Sequence, residues 1–570
     1  MPTAAAAFLD ALHEAGVSYI FANLGTDHPP ILEALAEAHA TGRPVPQLIT
    51  CPHEMVAMTA AHGYAQATGR PQAVLVHVDC GTQSLGGAVH NAARGRVPVF
   101  VFAGLSPVTQ EGELRGSRNE WVHWVQDAAD QRGIVRGYAK YENEIRTGRN
   151  VKQLVHRAMQ IARSDPKGPV YLTAAREILE EEAPAVSTDR SLWPALAPGA
   201  IPPDSIAAIA QDLMAAQRPL VISTYLGRNP AAVEELVKLC HRLAIGVWTS
   251  IPTYLEYPAD DPLYLGNSVN APVTNHPLND ADVILVLDSD VPWMPTVNRP
   301  RPGAKIYHID VDPLKEHMPL WYIPAQQIFR ADARTALAQL NSYLGTVEID
   351  QKRTETRWAF YAALHEARIK NLAAREIPSP DTITPEYLTA RVREHLPPDS
   401  VVLDEGITSH NAIADHIQSS RPGSFFTCAG GSIGWNTGAA IGIKLAHPDK
   451  TVVALTGDGC YMASIPSAAH WIAGRYRTPF VQVIYNNRGW KAPKLSTLAV
   501  HPSGFASRST DLGVAFDPPP DYAGIAAASG GAWATTVKQT CELDAALTEA
   551  FRVVREEQRC AVLDVWLPGF

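Results

Sequence analysis

The chain has 570 residues, 46% of them hydrophobic and 19% charged, with a formal net charge of −10. The length predicts three or four domains with well-buried cores, and the composition excludes a disordered chain. The acidic balance argues against a broad basic footprint for nucleic acid or an anionic membrane surface. Seven cysteines, at positions 51, 80, 240, 428, 460, 541 and 560, form no C-x-x-C pair and no zinc-finger spacing with histidine. Reduced thiols in a cytoplasmic protein are therefore expected. No stretch approaches the ~20 apolar residues of a membrane span. The opening Met-Pro-Thr-Ala-Ala-Ala-Ala-Phe-Leu-Asp lacks a basic n-region and is broken by Asp10, so it does not read as a signal peptide.

Along the chain, short runs rich in Val and Ile alternate with Ala-rich helical patterns. The runs 18–24, 73–78, 97–103 and 168–173 come first, followed by 219–224, 281–287 and 304–311, and then by 401–404, 451–455, 480–485 and 561–566. Continuous apolar runs suit strands buried on both faces of a parallel sheet, and their alternation with helices implies α/β layers. A Pro-rich stretch at 181–203 and a charged helical stretch running into Glu-Ile-Pro-Ser-Pro at 346–385 read as connectors. They leave three α/β blocks at 1–180, 200–345 and 380–570, each expected to be a doubly wound parallel sheet.

The most informative segment is Leu455-Thr-Gly-Asp-Gly-Cys460, with Val483-Ile-Tyr-Asn-Asn-Arg-Gly-Trp490 after it. One apolar strand ends in Gly457-Asp458-Gly459, the next ends in Asn486-Asn487, and 26 residues separate Gly459 from Asn486. That gap accommodates a crossover helix, so both polar clusters fall at the carboxyl edge of one sheet, where open α/β sheets bind ligands. Glycines let a backbone approach a diphosphate closely. A carboxylate and an amide oxygen can hold a Mg²⁺ that keeps phosphate oxygens in its shell. The plain alternative is a pair of strand-end turns.

This Gly-Asp-Gly…Asn-Asn pattern resembles the thiamine diphosphate (ThDP) motif. The block order resembles the acetolactate synthase and pyruvate decarboxylase superfamily, with pyrimidine-binding, central Rossmann-like and pyrophosphate-binding domains. The resemblance implies Mg²⁺ held by Asp458, Asn487 and the carbonyl of Gly489. It implies that Glu54, in Cys51-Pro-His-Glu54, hydrogen-bonds N1′ of the aminopyrimidine and promotes loss of the thiazolium C2 proton. It also implies that Ile433, in Cys428-Ala-Gly-Gly-Ser-Ile-Gly434, bends the cofactor, and that the carbonyl of Gly431 accepts from the 4′-amino group. Read as residues alone, Glu54 is also a helix-start carboxylate, and Ser432 also reads as a helix cap.

The chain departs from true acetolactate synthases at two places on the substrate side. Gly104 is followed by Leu105 rather than Gln, and Arg488-Gly-Trp-Lys-Ala-Pro-Lys494 lacks Gln-Trp-Gln. In Leu24-Gly-Thr-Asp-His28, Asp27 and His28 are candidates for proton transfer to substrate, and Asp27 alternatively caps a helix starting at Pro29. His77 and Asp79 are weaker candidates on the same edge. Lys491 and Lys494 are candidates for a substrate carboxylate. In the central block, Ser223-Thr-Tyr-Leu-Gly-Arg-Asn229 has one glycine where flavin-binding relatives have a Gly-rich loop, and Ser289-Asp-Val-Pro-Trp-Met-Pro295 replaces their arginine-bearing loop, so FAD is doubtful. The expected protein is a cytoplasmic ThDP- and Mg²⁺-dependent carbon–carbon lyase or carboligase, acetolactate synthase-like, acting on a 2-oxo acid or diketone as a homodimer or homotetramer. The alternatives are a 2-oxo acid decarboxylase or hydrolytic lyase and, from another class, a non-catalytic ThDP-fold subunit.

Overall fold

The computed structural model describes residues 2–185, 187–268, 277–321, 323–509 and 512–569. They form three six-stranded sheets, every pairing parallel. In the first, β1 (Tyr19–Ala22), β2 (Gln47–Thr50), β3 (Ala73–Val76), β4 (Phe100–Leu105), β5 (Tyr141–Glu144) and β6 (Val170–Ala175) lie in the order 2-1-3-4-6-5. The second contains β7 (Pro219–Ser223), β8 (Gly246–Ser250), β9 (Tyr264–Ser268), β10 (Val283–Leu287), β11 (Lys305–Asp310) and β12 (Gln327–Arg330), in the order 12-11-10-7-8-9. The third contains β13 (Val401–Glu405), β14 (Phe425–Thr427), β15 (Val452–Gly457), β16 (Val481–Asn486), β17 (Trp533–Val537) and β18 (Ala561–Trp566), in the order 14-13-15-16-18-17.

Counted from its own first strand, the third sheet repeats the order of the first. The second has the doubly wound dinucleotide-fold order, with the order reversing between β7 and β10. The all-parallel α/β reading of the sequence therefore holds. The inner strands are apolar on both faces because helices cover both: β3, β7, β8, β10 and β16 are buried along their whole length. Helix Gln351–Arg375 spans 25 residues and connects the second sheet to the third.

One core runs through the first and third sheets. It is built around helix Glu54–Thr68 from the first and helix Asn436–Ala446 from the third, and it holds Val56, Ala60, Ala61, Ala439, Ala440 and Ile443. These two helices pack backbone to backbone. A Cβ on Gly63 would collide with the Ala439 carbonyl, and one on Gly442 would collide with the Ala60 carbonyl. Their close approach sets the first sheet's carboxyl edge against the third.

Candidate functional site

The third sheet's carboxyl edge is built by register. Thr456 of β15 pairs with Glu405 of β13, and Gly457 pairs with Tyr485 of β16, so Glu405, Asp458, Asn486 and Asn487 leave the sheet side by side. Asp458 is buried at the start of helix Asp458–Ala463. Its Oδ1 accepts from the Gly459 N–H at 2.9 Å and its Oδ2 from the Gly489 N–H at 2.9 Å. Burial outweighs these hydrogen bonds and pushes its carboxyl up to about 6. Asn487 donates to Thr408 Oγ1 at 3.3 Å, while its own Oδ1 is buried with no partner. A free amide oxygen beside a desolvated carboxylate is a donor pair suited to a hard cation. The Gly489 carbonyl accepts from Lys491 N at 3.0 Å and keeps one lone pair. A Mg²⁺ ion fits this set, with one carboxylate, one amide oxygen and one carbonyl from protein and the remaining positions left to phosphate oxygens. Among the described residues no group of three or more His, Cys, Asp or Glu side chains could hold a metal, so a site dominated by protein carboxylates and imidazoles is not built here. Gly459 is required to be glycine because its Cβ would enter the Trp490 ring, whereas a Cβ on Gly457 would make only ordinary contacts with Cys460 and Glu405.

Two further groups crowd this edge. Glu405, buried, accepts from the N–H groups of Gly434 (2.8 Å), Trp435 (3.0 Å) and Asn436 (3.0 Å), and burial lifts its carboxyl to about 7. It satisfies the start of helix Asn436–Ala446, the position the sequence offered to Ser432. His410 Nδ1 lies 2.6 Å from Asp404 Oδ2. Burial pulls the imidazole down, but the Asp404 charge and hydrogen bond raise it above its ordinary value.

On the first sheet, register aligns Ala22 with Thr50 and with Leu75, so the segments after β1, β2 and β3 leave together. Glu54 opens helix Glu54–Thr68, is 8% exposed, and its Oε1 accepts from Asn23 Nδ2 at 2.9 Å. Asp27 does not cap helix Pro29–Thr41, whose first turn has no side-chain cap. Its Oδ1 instead lies 2.6 Å from His77 Nδ1 and 3.0 Å from His28 Nδ1, and its Oδ2 accepts from Val78 N at 3.1 Å. It fills the space a Cβ on Gly104 would need. His77 Nε2 lies 2.8 Å from Gln126 Oε1. Both ring nitrogens thus face acceptors, the arrangement of an imidazolium. Burial lowers its pKa, but Asp27, Gln126 and Asp79 together raise it above the usual value. His28 is fully buried, accepts from Gly25 N at 3.0 Å, and is pulled down by burial. Gly81, one turn on, brings this helix close to Glu54: a Cβ there would lie 3.2 Å from Glu54 Oε1.

The turn before Ile433 is held by the first sheet's helix Val78–Arg94. Asn91 Nδ2 donates to the Ser432 carbonyl at 2.7 Å, Asn91 Oδ1 accepts from Ser432 N at 3.0 Å, and His90 Nε2 reaches the Gly430 carbonyl at 2.8 Å. Gly431 has φ +75° and open space around it; the left-handed backbone turns its peptide outward. Ile433 is half-buried.

At the central sheet's carboxyl edge the loop after β7 holds Gly227, whose N–H donates to Glu256 Oε2 at 3.0 Å. Glu256 also takes Ser223 Oγ at 2.9 Å, and burial raises it to about 8. Asp288, Asp290 and Asp310, at and beyond the ends of β10 and β11, are met by Arg96, Lys315 and Arg228. A cavity of about 1010 Å³ beside this edge is lined by Arg228, Asn229, Asp332 and Thr335 and contains none of the motif residues.

The structure thus brings Gly457, Asp458, Gly459, Asn487 and Gly489 together at one edge, and Glu54, Asp27, His28 and His77 at another. Lys491 and Lys494 lie on helix Lys491–Val500, just beyond the first group. Asn23, Gln126, Asn91 and Glu405 escaped the sequence reading. Asn23 and Glu405 carried a usable signal, a polar residue closing a buried strand.

Comparison with known proteins follows the same division. Residues 2–134 match the model described as thiamine pyrophosphate enzyme, N-terminal TPP binding domain, residues 206–340 the central domain, and residues 406–565 the C-terminal TPP binding domain. The chain is 26% identical to a probable 2-ketoarginine decarboxylase of Pseudomonas aeruginosa over 86% of its length and 82% of that protein's. It is 25% identical to a benzoylformate decarboxylase of the same organism (85% and 86% covered) and 26% to a probable acetolactate synthase large subunit of Methanocaldococcus jannaschii (85% and 80%). The solved structure of a Rhodococcus jostii ThDP-dependent 4-hydroxybenzoylformate decarboxylase superposes with a TM-score of 0.79 at 20% identity, over 100% of this chain and 99% of that one, which shows a shared fold. Matched in its N-terminal, central and C-terminal parts, the chain belongs to the thiamine pyrophosphate enzyme family.

Proposed function

We propose that this chain is a ThDP- and Mg²⁺-dependent carbon–carbon lyase or carboligase acting on a 2-oxo acid or related carbonyl compound. The reading rests on the orphaned Asn487 Oδ1 beside desolvated Asp458 at a glycine-lined sheet edge. Asp458, Asn487 and the Gly489 carbonyl would hold the metal, Gly457 and Gly459 would admit the diphosphate, and Gly431 and Ile433 would fix the cofactor's bend. When bound, ThDP would supply a carbon nucleophile for the substrate carbonyl and, in its thiazolium ring, an electron sink for the C–C bond that breaks. Glu54, fixed by Asn23, would hold a proton at the aminopyrimidine N1′. His77, oriented by Asp27 and Gln126, would deliver a proton to the substrate carbon left by cleavage.

Acetolactate synthase-like carboligation and plain decarboxylation share the chemistry up to C–C cleavage. A poised imidazolium favours decarboxylation, while kinship to proteins named acetolactate synthase supports carboligation. Product analysis with pyruvate and a panel of 2-oxo acids tests this. Free aldehyde is expected, and acetolactate as the main product would overturn the role given to His77. FAD has no place in this reading, because the loop N–H that would meet a dinucleotide phosphate is taken by Glu256 and the strand-end carboxylates are taken by Arg96, Arg228 and Lys315.

Within one chain no hydrogen bond or ion pair among the described residues joins Glu54 to Asp458; their partners are Asn23 in one case and Gly459 and Gly489 in the other. Exposed apolar side chains flank both edges, namely Trp121, Trp124 and Val125 after β4, and Leu495, Val500 and Phe505 after β16. A homodimer or higher homo-oligomer that buries these apolar side chains is the assembly this reading expects. All seven thiols are free, which suits a reducing cytoplasm.

A further inference from the structure

Arg96 is an unusual residue in an unusual place. It follows Gly95 at the end of helix Val78–Arg94 and has φ +55°, the left-handed conformation that turns the chain out of the helix. It is 6% exposed and crosses from the first sheet's layer to the carboxyl edge of the central sheet. There its Nη1 lies 2.8 Å from Asp310 Oδ1 and 3.6 Å from Asp288 Oδ1, and its Nη2 lies 2.8 Å from Asp290 Oδ1. The guanidinium also stacks over Tyr225, 4.8 Å from the ring centre. Lys315 bridges Asp290 and Asp310, and Arg228 meets Asp288. Arg228 also meets Asp165 at 2.7 Å, so four carboxylates face three cations, in the crevice at which the strand order reverses.

The same helix end carries the groups that grip the cofactor turn. Gly95 N donates to the Asn91 carbonyl at 2.8 Å and Arg96 N to the Ala93 carbonyl at 3.2 Å, so the Arg96 backbone is tied to the last helical turn. One turn earlier, Asn91, fully buried, makes two hydrogen bonds to Ser432, and His90 holds Gly430. The fit leaves no slack, since a Cβ on Gly430 would strike Asn91 and one on Gly87 would strike Ser432 Oγ. A rotation or slide of this helix would move the 430–432 turn with it.

We propose that Arg96 is a positioning residue for the cofactor turn: anchored in the central domain's nucleotide crevice, it fixes the end of helix Val78–Arg94 and, through Asn91 and His90, the Gly430–Ser432 segment that presents Ile433. The role of Ile433 rests on the functional reading above. The crevice that binds a dinucleotide in doubly wound folds serves here as the socket of an interdomain clamp, a second hold of the central domain on this segment beside its direct hydrogen bonds to Thr427.

The test is amide hydrogen exchange by mass spectrometry on the apo protein, following a peptide over 428–434, with 454–460 as internal control. Arg96→Met and Asn91→Ala should each speed exchange in 428–434 at least tenfold and leave the control unchanged. Arg96→Lys, which keeps the charge but cannot fork between two carboxylates, should fall between. In the same variants the Mg²⁺-dependent affinity for ThDP, by calorimetry, should change less than threefold, because Asp458 is held by Gly459 and Gly489 and not by the 428–434 segment. If Arg96→Met does not fold, Asp290→Asn removes one anchor without stranding the guanidinium, and a three- to tenfold increase is expected. Wild-type protection of 428–434 in Arg96→Met, or in Asp290→Asn as its substitute, overturns the proposal. Ile433→Ala separates the two readings. If it leaves C2-proton exchange of bound ThDP unchanged while Arg96→Met still loosens 428–434, the cofactor-bending role fails and the clamp stands.

Discussion

At the residue scale, the pair Asp27–His77 shows how burial and partners divide two neighbouring histidines. His28 and His77 both touch Asp27, yet His28 is sealed in and accepts a backbone N–H, whereas His77 keeps part of its ring in solvent and faces acceptors at both nitrogens. The sequence put Asp27 and His28 forward together and set His77 lower, because adjacency in sequence says nothing about which ring nitrogen finds which partner. The raised pKa of His77 carries a stability signature. A histidine with a folded pKa above its unfolded value adds stability that is fully present below about pH 6.5 and is lost as pH rises through the folded pKa. Wild type should therefore melt above His77→Gln at pH 5.5, and the gap should narrow steadily toward pH 9. Thermal denaturation across that range checks it, and a constant gap would mean that His77 is not charged in the native state. Asp458 teaches a related lesson. Gly-Asp-Gly and Asn-Asn were legible because the chemistry needs those types in that order, but the orphaned Oδ1 of Asn487 is a property of three dimensions.

At the scale of elements, the strands that the sequence revealed and those that it hid separate by position in the sheet. The eleven apolar runs all became strands, with ends displaced by up to three residues. Seven strands gave no such run, and six of them, β2, β5, β9, β12, β14 and β17, are the outermost strands of the three sheets. An edge strand is covered on fewer sides, so its sequence need not be continuously apolar: Tyr-Glu-Asn-Glu in β5 and Gln-Ile-Phe-Arg in β12 read as loops. The repeated 2-1-3-4-6-5 order was equally invisible, since strand order depends on pairings distant in sequence. The helix pair Glu54–Thr68 and Asn436–Ala446 is where elements meet function, because each begins at a site edge, one at Glu54 and the other beside Glu405. Gly442→Ala places a methyl group against the Ala60 carbonyl. Overpacking of this kind typically destabilises by ~1–3 kcal/mol. A melting temperature lowered by several degrees is expected, together with weaker activity as the two edges shift. An unchanged melting curve would show that the helices have room to part.

At the scale of the whole molecule, the proposed homo-oligomer can be tested through its active site. The proposed closed twofold assembly would pair Glu54 of one copy with Asp458 of the other. Mixing inactive Glu54→Gln with inactive Asp458→Ala chains, with subunit exchange, should restore roughly a quarter of the sites in a random dimer population. No restoration would place the complete site within one chain. The central sheet, flavin-like in order but with its crevice filled by Arg96 of the first domain and by its own Lys315 and Arg228, is proposed as the clamp between the other two. The proposed activation of ThDP through Glu54 is tested, without knowledge of the substrate, by the exchange of the C2 proton of bound ThDP, followed by NMR after rapid acid quench. Glu54→Gln should bind ThDP and Mg²⁺ nearly as wild type does and exchange that proton ~10²–10⁴-fold more slowly, the scale of a positioned acid–base group. Exchange at the wild-type rate in Glu54→Gln would reduce Glu54 to a helix-start carboxylate and contradict the account.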